Sequence, residues 1–240
     1  METVLKSEKI SVEFGGLKAV TNFDIEIKQG ELIGLIGPNG AGKTTIFNLL
    51  TGVYKPTSGR IFLGDKNITG MRPNKIVDEG MARTFQNIRL FKKMTVLDNV
   101  KVSFNHKMKY NVLSGIFRLP AFWREENKVE EKALELLKVF EMDGMADTIA
   151  ENLPYGKQRK LEIARALASD PKLLLLDEPA AGMNPTETVE LMETIALIRK
   201  RFNVSVLLIE HDMSLVMGIC ERVIVLNYGE IIAQGLPLVV

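Results

Sequence analysis

The sequence predicts an α/β fold built on a mostly parallel sheet, with a helical segment inserted into it. Leu32–Ile36, Leu173–Leu176 and Val204–Ile209 are short, strongly apolar runs, the pattern of strands buried on both faces. Helical patterns separate them: Thr44–Leu50 follows the first run and Thr186–Lys200 links the second to the third. Strands alternating with helices in this way build a parallel sheet covered on both sides. Between them, from about Asn87 to Asn152, helical periodicity replaces strand patterning.

Taken in order, Lys9–Phe14 alternates polar and apolar, Gly15-Gly16 turns, and Val20–Ile27 alternates again before Gln29-Gly30. This reads as strands joined by tight turns. After the strand at Leu32–Ile36 come a glycine-rich turn and the helix Thr44–Leu50. Gly52–Gly59, with Pro56, reads as a loop and Arg60–Leu63 as a short strand. In the inserted segment Val129–Phe140 is the clearest amphipathic run, with Ala133, Leu134, Leu137 and Phe140 on one face. Asn105–Trp123 is irregular, aromatic and basic and takes no assignment. Arg159–Leu167 reads as a helix closed by Ser169-Asp170-Pro171.

The 240 residues suit one domain, or two lobes around one site. Hydrophobic residues make up 46% and charged residues 25%, which excludes a disordered chain, a collagen-like repeat and a disulfide scaffold. The single Cys220 cannot form an internal bridge, which suits a reducing compartment. With 31 basic against 30 acidic residues the net charge is +1, favouring neither nucleic acid nor an anionic membrane. Met1–Ile10 carries Glu2, Lys6, Glu8 and Lys9 and has no signal-peptide core. No uncharged run reaches the ~20 apolar residues needed to cross a bilayer. The expectation is a soluble, cytoplasmic chain that meets a membrane only through a partner.

Gly37-Pro38-Asn39-Gly40-Ala41-Gly42-Lys43-Thr44 fits G-x-x-x-x-G-K-[ST] in full, between a strand and a helix. Glycines let the backbone curl so that successive N–H groups face phosphate oxygens, and the next helix points its positive end at them. Lys43 would reach the β- and γ-phosphates, the Thr44 hydroxyl would ligate magnesium, and Thr45 stands beside them. The loop predicts a P-loop nucleotide-binding core.

Leu173–Leu176 ends in Asp177-Glu178. Ligands bind beyond the carboxyl ends of strands in such sheets, so Asp177 is suited to hold magnesium and Glu178 to activate water as general base. Val204–Ile209 ends in Glu210-His211-Asp212, where His211 could donate to a γ-phosphate. His106 reads as a surface residue, and Cys220 as a small packed side chain.

The ordered set Gly37–Thr44, Gln86, Leu153–Gln158, Leu173–Glu178 and His211 resembles the ATP-binding-cassette (ABC) ATPases across nearly the whole chain. That resemblance implies a P-loop core with a mostly parallel sheet, an N-terminal antiparallel β subdomain and an inserted α-helical subdomain. The core would span 1–86 and 153–240 and the helical part 87–152. It also implies roles: Phe14 stacking on adenine, and Gln86 sensing γ-phosphate and magnesium. Leu153-Pro154-Tyr155-Gly156-Lys157-Gln158 stands in the place of the L-S-G-G-Q signature, where the Tyr155 and Gly156 amides would face a phosphate. Ala181–Asn184 stands where the family links opposing sites across a dimer. Pro154 replaces a serine, Lys157 a glutamine and Asn184 a common aspartate.

Phe14–Val20, Arg83–Gln86, Met94–Val96, Leu161–Ala166 and Glu178–Pro185 are similar to one branch, the ATP-binding subunit of branched-chain amino acid importers. This implies an ATPase using ATP and Mg2+, paired head to tail with itself or a related subunit. It would sit peripherally on the cytoplasmic face of the cell membrane beside transmembrane permease subunits. A solute-binding protein would act indirectly and nucleic acid would not be a partner. The alternatives are an importer of another amino acid, urea or an amide, a soluble ABC ATPase acting on nucleic acid, and a small-molecule kinase. The insert between Gln86 and Leu153 is too short for a long coiled coil, which counts against the second.

Overall fold

The computed structural model describes residues 2–104 and 120–239. They form two compact units, Met1–Gln86 with Pro171–Val240 and Asn87–Asp170. In chain order the first unit contributes β1 (Thr3–Phe14), β2 (Leu17–Lys28), β3 (Leu32–Ile36), α1 (Lys43–Leu50), β4 (Ser58–Leu63), β5 (Lys66–Asn67), α2 (Pro73–Asp78) and β6 (Met81–Arg83). The second contributes α3 (Val96–Phe104), α4 (Pro120–Val139) and α5 (Tyr155–Leu167). The chain returns to the first unit with β7 (Leu173–Asp177), α6 (Pro185–Phe202), β8 (Ser205–Ile209), α7 (Met213–Ile219), β9 (Arg222–Asn227) and β10 (Glu230–Gly235).

The first unit holds two sheets. One is antiparallel, in the order β2-β1-β4-β5, and matches the expected N-terminal β subdomain. The other runs β10-β9-β3-β8-β7-β6 and is parallel throughout except where β10 turns back on β9. Every residue of β7 and β8 is buried, as their unbroken apolar patterning requires. Apolar side chains of both sheets meet α1 in one core, with Phe23 and Ile27 from β2, Ile46 and Phe47 from α1, and Leu35, Leu207 and Ile209 from the parallel sheet. Each such fully buried side chain contributes about 1.5–3 kcal/mol.

Patterning did not mark β5, β6, α2, α7, β9 or β10. The strand β6 is three residues long and takes its identity from pairing with β7, Met81 beside Leu173 and Arg83 beside Leu175. In the second unit α3 packs on both α4 and α5, and Val100, Ala133, Leu137, Phe140, Leu161 and Ile163 are buried. The α4 helix begins well before the amphipathic run that announced it. The rest of the irregular aromatic segment, 105–119 with His106, lies outside the described residues. Among the described residues no helix is long and apolar enough to cross a membrane.

Candidate functional site

The site starts at the carboxyl end of β3, where the chain turns through Gly37–Gly42 into α1. Gly37, Gly40 and Gly42 have φ of 149°, 80° and 104°, values that side chains with a Cβ resist. At Gly37 space is limiting too, because a Cβ would stand 2.1 Å from the carbonyl oxygen of Leu226. The loop base is thus pressed against β9, while the tip of the β9–β10 hairpin holds its far side through Gly229 N–H to the Ala41 carbonyl at 2.8 Å. The α1 helix then begins at Gly42 with no side-chain cap and no acid in its first turn. Its amino end is left to attract an anion.

Lys43 points back into the loop and donates to the carbonyls of Gly37 at 2.7 Å and Pro38 at 3.0 Å. Burial lowers the affinity of its ammonium for a proton, and the negative charges of Glu178 and Asp177 partly offset this. The lysine therefore braces the curl that an anion would enter. Asn39–Thr45, Glu178 and His211 line a cleft of about 440 Å³, together with Leu17–Ala19 and the largely exposed Tyr228.

Across the cleft, Glu178 follows β7 with φ of 47°, a left-handed conformation costing a non-glycine residue roughly 1–2 kcal/mol. Its amide donates to the Ile209 carbonyl at 2.9 Å, which carries the β7–β8 pairing one residue further. Its two carboxylate oxygens are held separately. Oε1 lies 2.7 Å from His211 Nε2, and Oε2 accepts from Gln86 Nε2 at 2.8 Å. The arrangement orients a carboxylate between an imidazole and an amide beside a phosphate-type loop, a geometry suited to steering and deprotonating water.

Asp177 is buried and paired through Oδ2 with Arg83 at 2.6 Å. The same guanidinium donates to Asn48 of α1 at 2.7 Å and lies over the rings of Phe47 and Phe85. Glu210, at the end of β8, is also buried. Burial raises its carboxyl affinity for a proton, while the amides of Ala180, His211 and Asp212 oppose that rise.

Asn39–Thr45, Glu178 and His211 come together at one cleft, with Gln86 bonded to Glu178. Phe14 stands at the end of β1, edge-on to Tyr54 with ring centroids 5.1 Å apart, and does not line the cleft. Tyr155 and Gly156 belong to the second unit, at the start of α5, where Pro154 is the N-cap and offers no side-chain acceptor. Asn184 caps α6 in a reciprocal capping box with Glu187. The Cys220 thiol is pushed up to about 12 by burial. Sequence reading gave no role to Arg83 or Glu210.

The family model described as ABC transporter matches residues 20–181, well over half the chain. The chain belongs to the ABC transporter family. An ATP-binding cassette, MJ1267, solved in its ADP conformation, superposes with a TM-score of 0.85 at 32% identity, covering 98% of this chain and 92% of that one. The high-affinity branched-chain amino acid transport ATP-binding protein LivG of Escherichia coli K12 is 46% identical over 236 residues, 98% of this chain and 92% of LivG. BraF of Pseudomonas aeruginosa, of the same description, is 46% identical over 234 residues with the same coverage. This ABC chain is accordingly an ATPase that binds its nucleotide as a cassette of that fold.

Proposed function

We propose that this ABC chain powers the import of branched-chain amino acids by binding and hydrolysing ATP. The observation that carries the catalytic half is the cleft itself, where the glycine-rich loop and Lys43 face Glu178 held between His211 and Gln86. The solute class rests on the descriptions of LivG and BraF.

In this reading the loop amides and the amino end of α1 bind the triphosphate, and Lys43 exchanges its loop carbonyls for phosphate oxygens. Glu178 takes a proton from the attacking water, His211 donates to the γ-phosphate, and Gln86 orients the carboxylate. Phe14, exposed at the end of β1 outside the cleft lining, is the apolar face the family resemblance offers to adenine. Magnesium, when bound with ATP, would draw charge from the phosphates and ease attack. The residues suit it. Thr44 lines the cleft with its hydroxyl, Asp177 keeps Oδ1 as a hard donor while Oδ2 is held by Arg83, and Gln86 is bonded to Glu178. Among the described residues no group of three His, Cys, Asp or Glu side chains forms a metal cage, which accords with an ion held by one carboxylate, a hydroxyl and substrate oxygens.

The chain pairs head to tail with a second ABC ATPase, related or identical, each presenting its Tyr155–Gly156 region to the other's nucleotide. Residues 87–152 contact the transmembrane permease at the cytoplasmic face, and a solute-binding protein acts upstream. With a γ-phosphate bonded by both subunits, hydrolysis removes the bridge and opens the pair, switching the permease.

The test is reconstitution in proteoliposomes with a branched-chain amino acid permease, a second cassette and a solute-binding protein. ATP-driven uptake of leucine, isoleucine and valine is the expected result. Uptake of urea or amides alone would overturn the solute class. Failure of the purified chain to bind ATP in the presence of magnesium would overturn the reading from its base.

A further inference from the structure

A carboxylate taken out of water is stable only where hydrogen bonds or charges replace its hydration. Glu210 is 4% exposed, and three backbone amides meet it. Oε1 accepts from Ala180 N–H at 2.8 Å, while Oε2 accepts from His211 N–H at 3.0 Å and more distantly from Asp212 N–H at 3.5 Å. The two oxygens are thus divided between two loops. One follows β7 and carries Glu178, and the other follows β8 and carries His211.

The first of these loops needs an anchor. Glu178 is held in left-handed backbone, and Pro179 has no N–H to donate. The Ala180 amide is therefore the first donor beyond Glu178 that can fix the turn, and Glu210 accepts it. On the other side Glu210 accepts the amide of His211 itself. The side chains of the two loops also meet directly, His211 Nε2 standing 2.7 Å from Glu178 Oε1, an exposed contact beside the buried clip.

We propose that Glu210 is a positioning residue for hydrolysis, a carboxylate clip that fastens the Glu178 loop to the His211 loop so that base and imidazole move as one body. The proposal rests on the ATPase reading above. It also gives the Ala181–Asn184 segment a route to the histidine, since displacement of that segment pulls on Ala180 and through Glu210 on His211.

The test uses Glu210→Gln in the full chain. Glutamine keeps the shape but has one acceptor, so whichever way its amide turns, an N–H faces a backbone N–H. The expected result is a kcat lower by about 100-fold, the scale of a small misplacement of reacting groups, with the KM for ATP unchanged. Glu210→Asp, which keeps both oxygens, restores part of the rate. A second readout is spectroscopic. The chain has two histidines, so the His211 imidazole signals are assigned by their loss in His211→Ala. In Glu210→Gln they move toward their positions in Glu178→Gln, reporting that the imidazole has parted from the carboxylate. Unchanged kcat, a raised KM at constant kcat, or imidazole signals that stay in place would each overturn the clip. Should Glu210→Gln fail to fold, Glu210→Asp is judged by the same rate split and the same signals. Absence of hydrolysis by the folded wild-type chain would sink the ATPase reading instead.

Discussion

Helices α1 and α6 take similar places in the first unit, each reached from the carboxyl end of a buried parallel strand, β3 or β7, yet they begin in opposite ways. The first amides of α1 follow a left-handed glycine and meet no side-chain cap. Those of α6 are served by Asn184, which accepts from Glu187 N–H at 3.0 Å while Glu187 accepts the Asn184 amide at 3.1 Å, with Pro185 in the first turn. One helix end is finished by its own sequence and the other is left for an incoming anion. A glycine-rich entry followed by lysine and threonine marks a ligand end; an Asn-Pro-x-Glu entry marks a structural one.

The contrast can be broken at either helix. The largest effect belongs to the chemistry facing α1: Glu178→Gln should slow hydrolysis by roughly 10²–10⁴-fold while ATP affinity stays, since binding resides in the loop and helix end. Equilibrium binding and phosphate release, measured side by side, check this. Next comes Gly37→Ala, whose methyl would collide with the Leu226 carbonyl; a loss of about 3 kcal/mol in urea unfolding is expected. Gly40→Ala meets nothing within 4 Å and should lose only about 1 kcal/mol, the cost of its left-handed backbone.

A third effect is set by pH. Burial lowers the Lys43 pKa below the ordinary value of 10.5. The protonated form binds phosphate, so ATP affinity should be retained at low pH and lost as pH rises through that lowered pKa, by up to about tenfold per pH unit. Lys43→Arg, which stays charged, should remove this loss over the same range. The smallest effect is at α6: Asn184→Ala should lower stability by about 1 kcal/mol in thermal or urea unfolding and leave ATP affinity unchanged.

Much of this was legible in the residues because it is local. The phosphate loop is eight consecutive positions, and β3, β7 and β8 announce themselves as apolar runs whose burial the structure reproduces. What escaped is held by distant partners. Arg83 reads as an unremarkable cation until β6 pairs with β7 and sets it against Asp177, 94 positions away. Glu210 reads as one acid among three polar residues ending a strand, and only the backbone of a loop 30 positions earlier gives it work. The edge strand β10 alternates weakly because much of its surface faces out, so periodicity had little to detect there.

The pressing of Gly37 against Leu226, and of Ala41 against Gly229, has a consequence for synthesis. The P-loop is translated early, but its floor and its far clasp come from Leu226 and Gly229, well over a hundred residues later, and β3 lies between β8 and β9 rather than beside an early neighbour. A ribosome-bound nascent chain ending before β9 would carry the entire fingerprint yet lack the surface that shapes it. Nucleotide capture should therefore switch on late in translation, keeping half-made cassettes from engaging ATP.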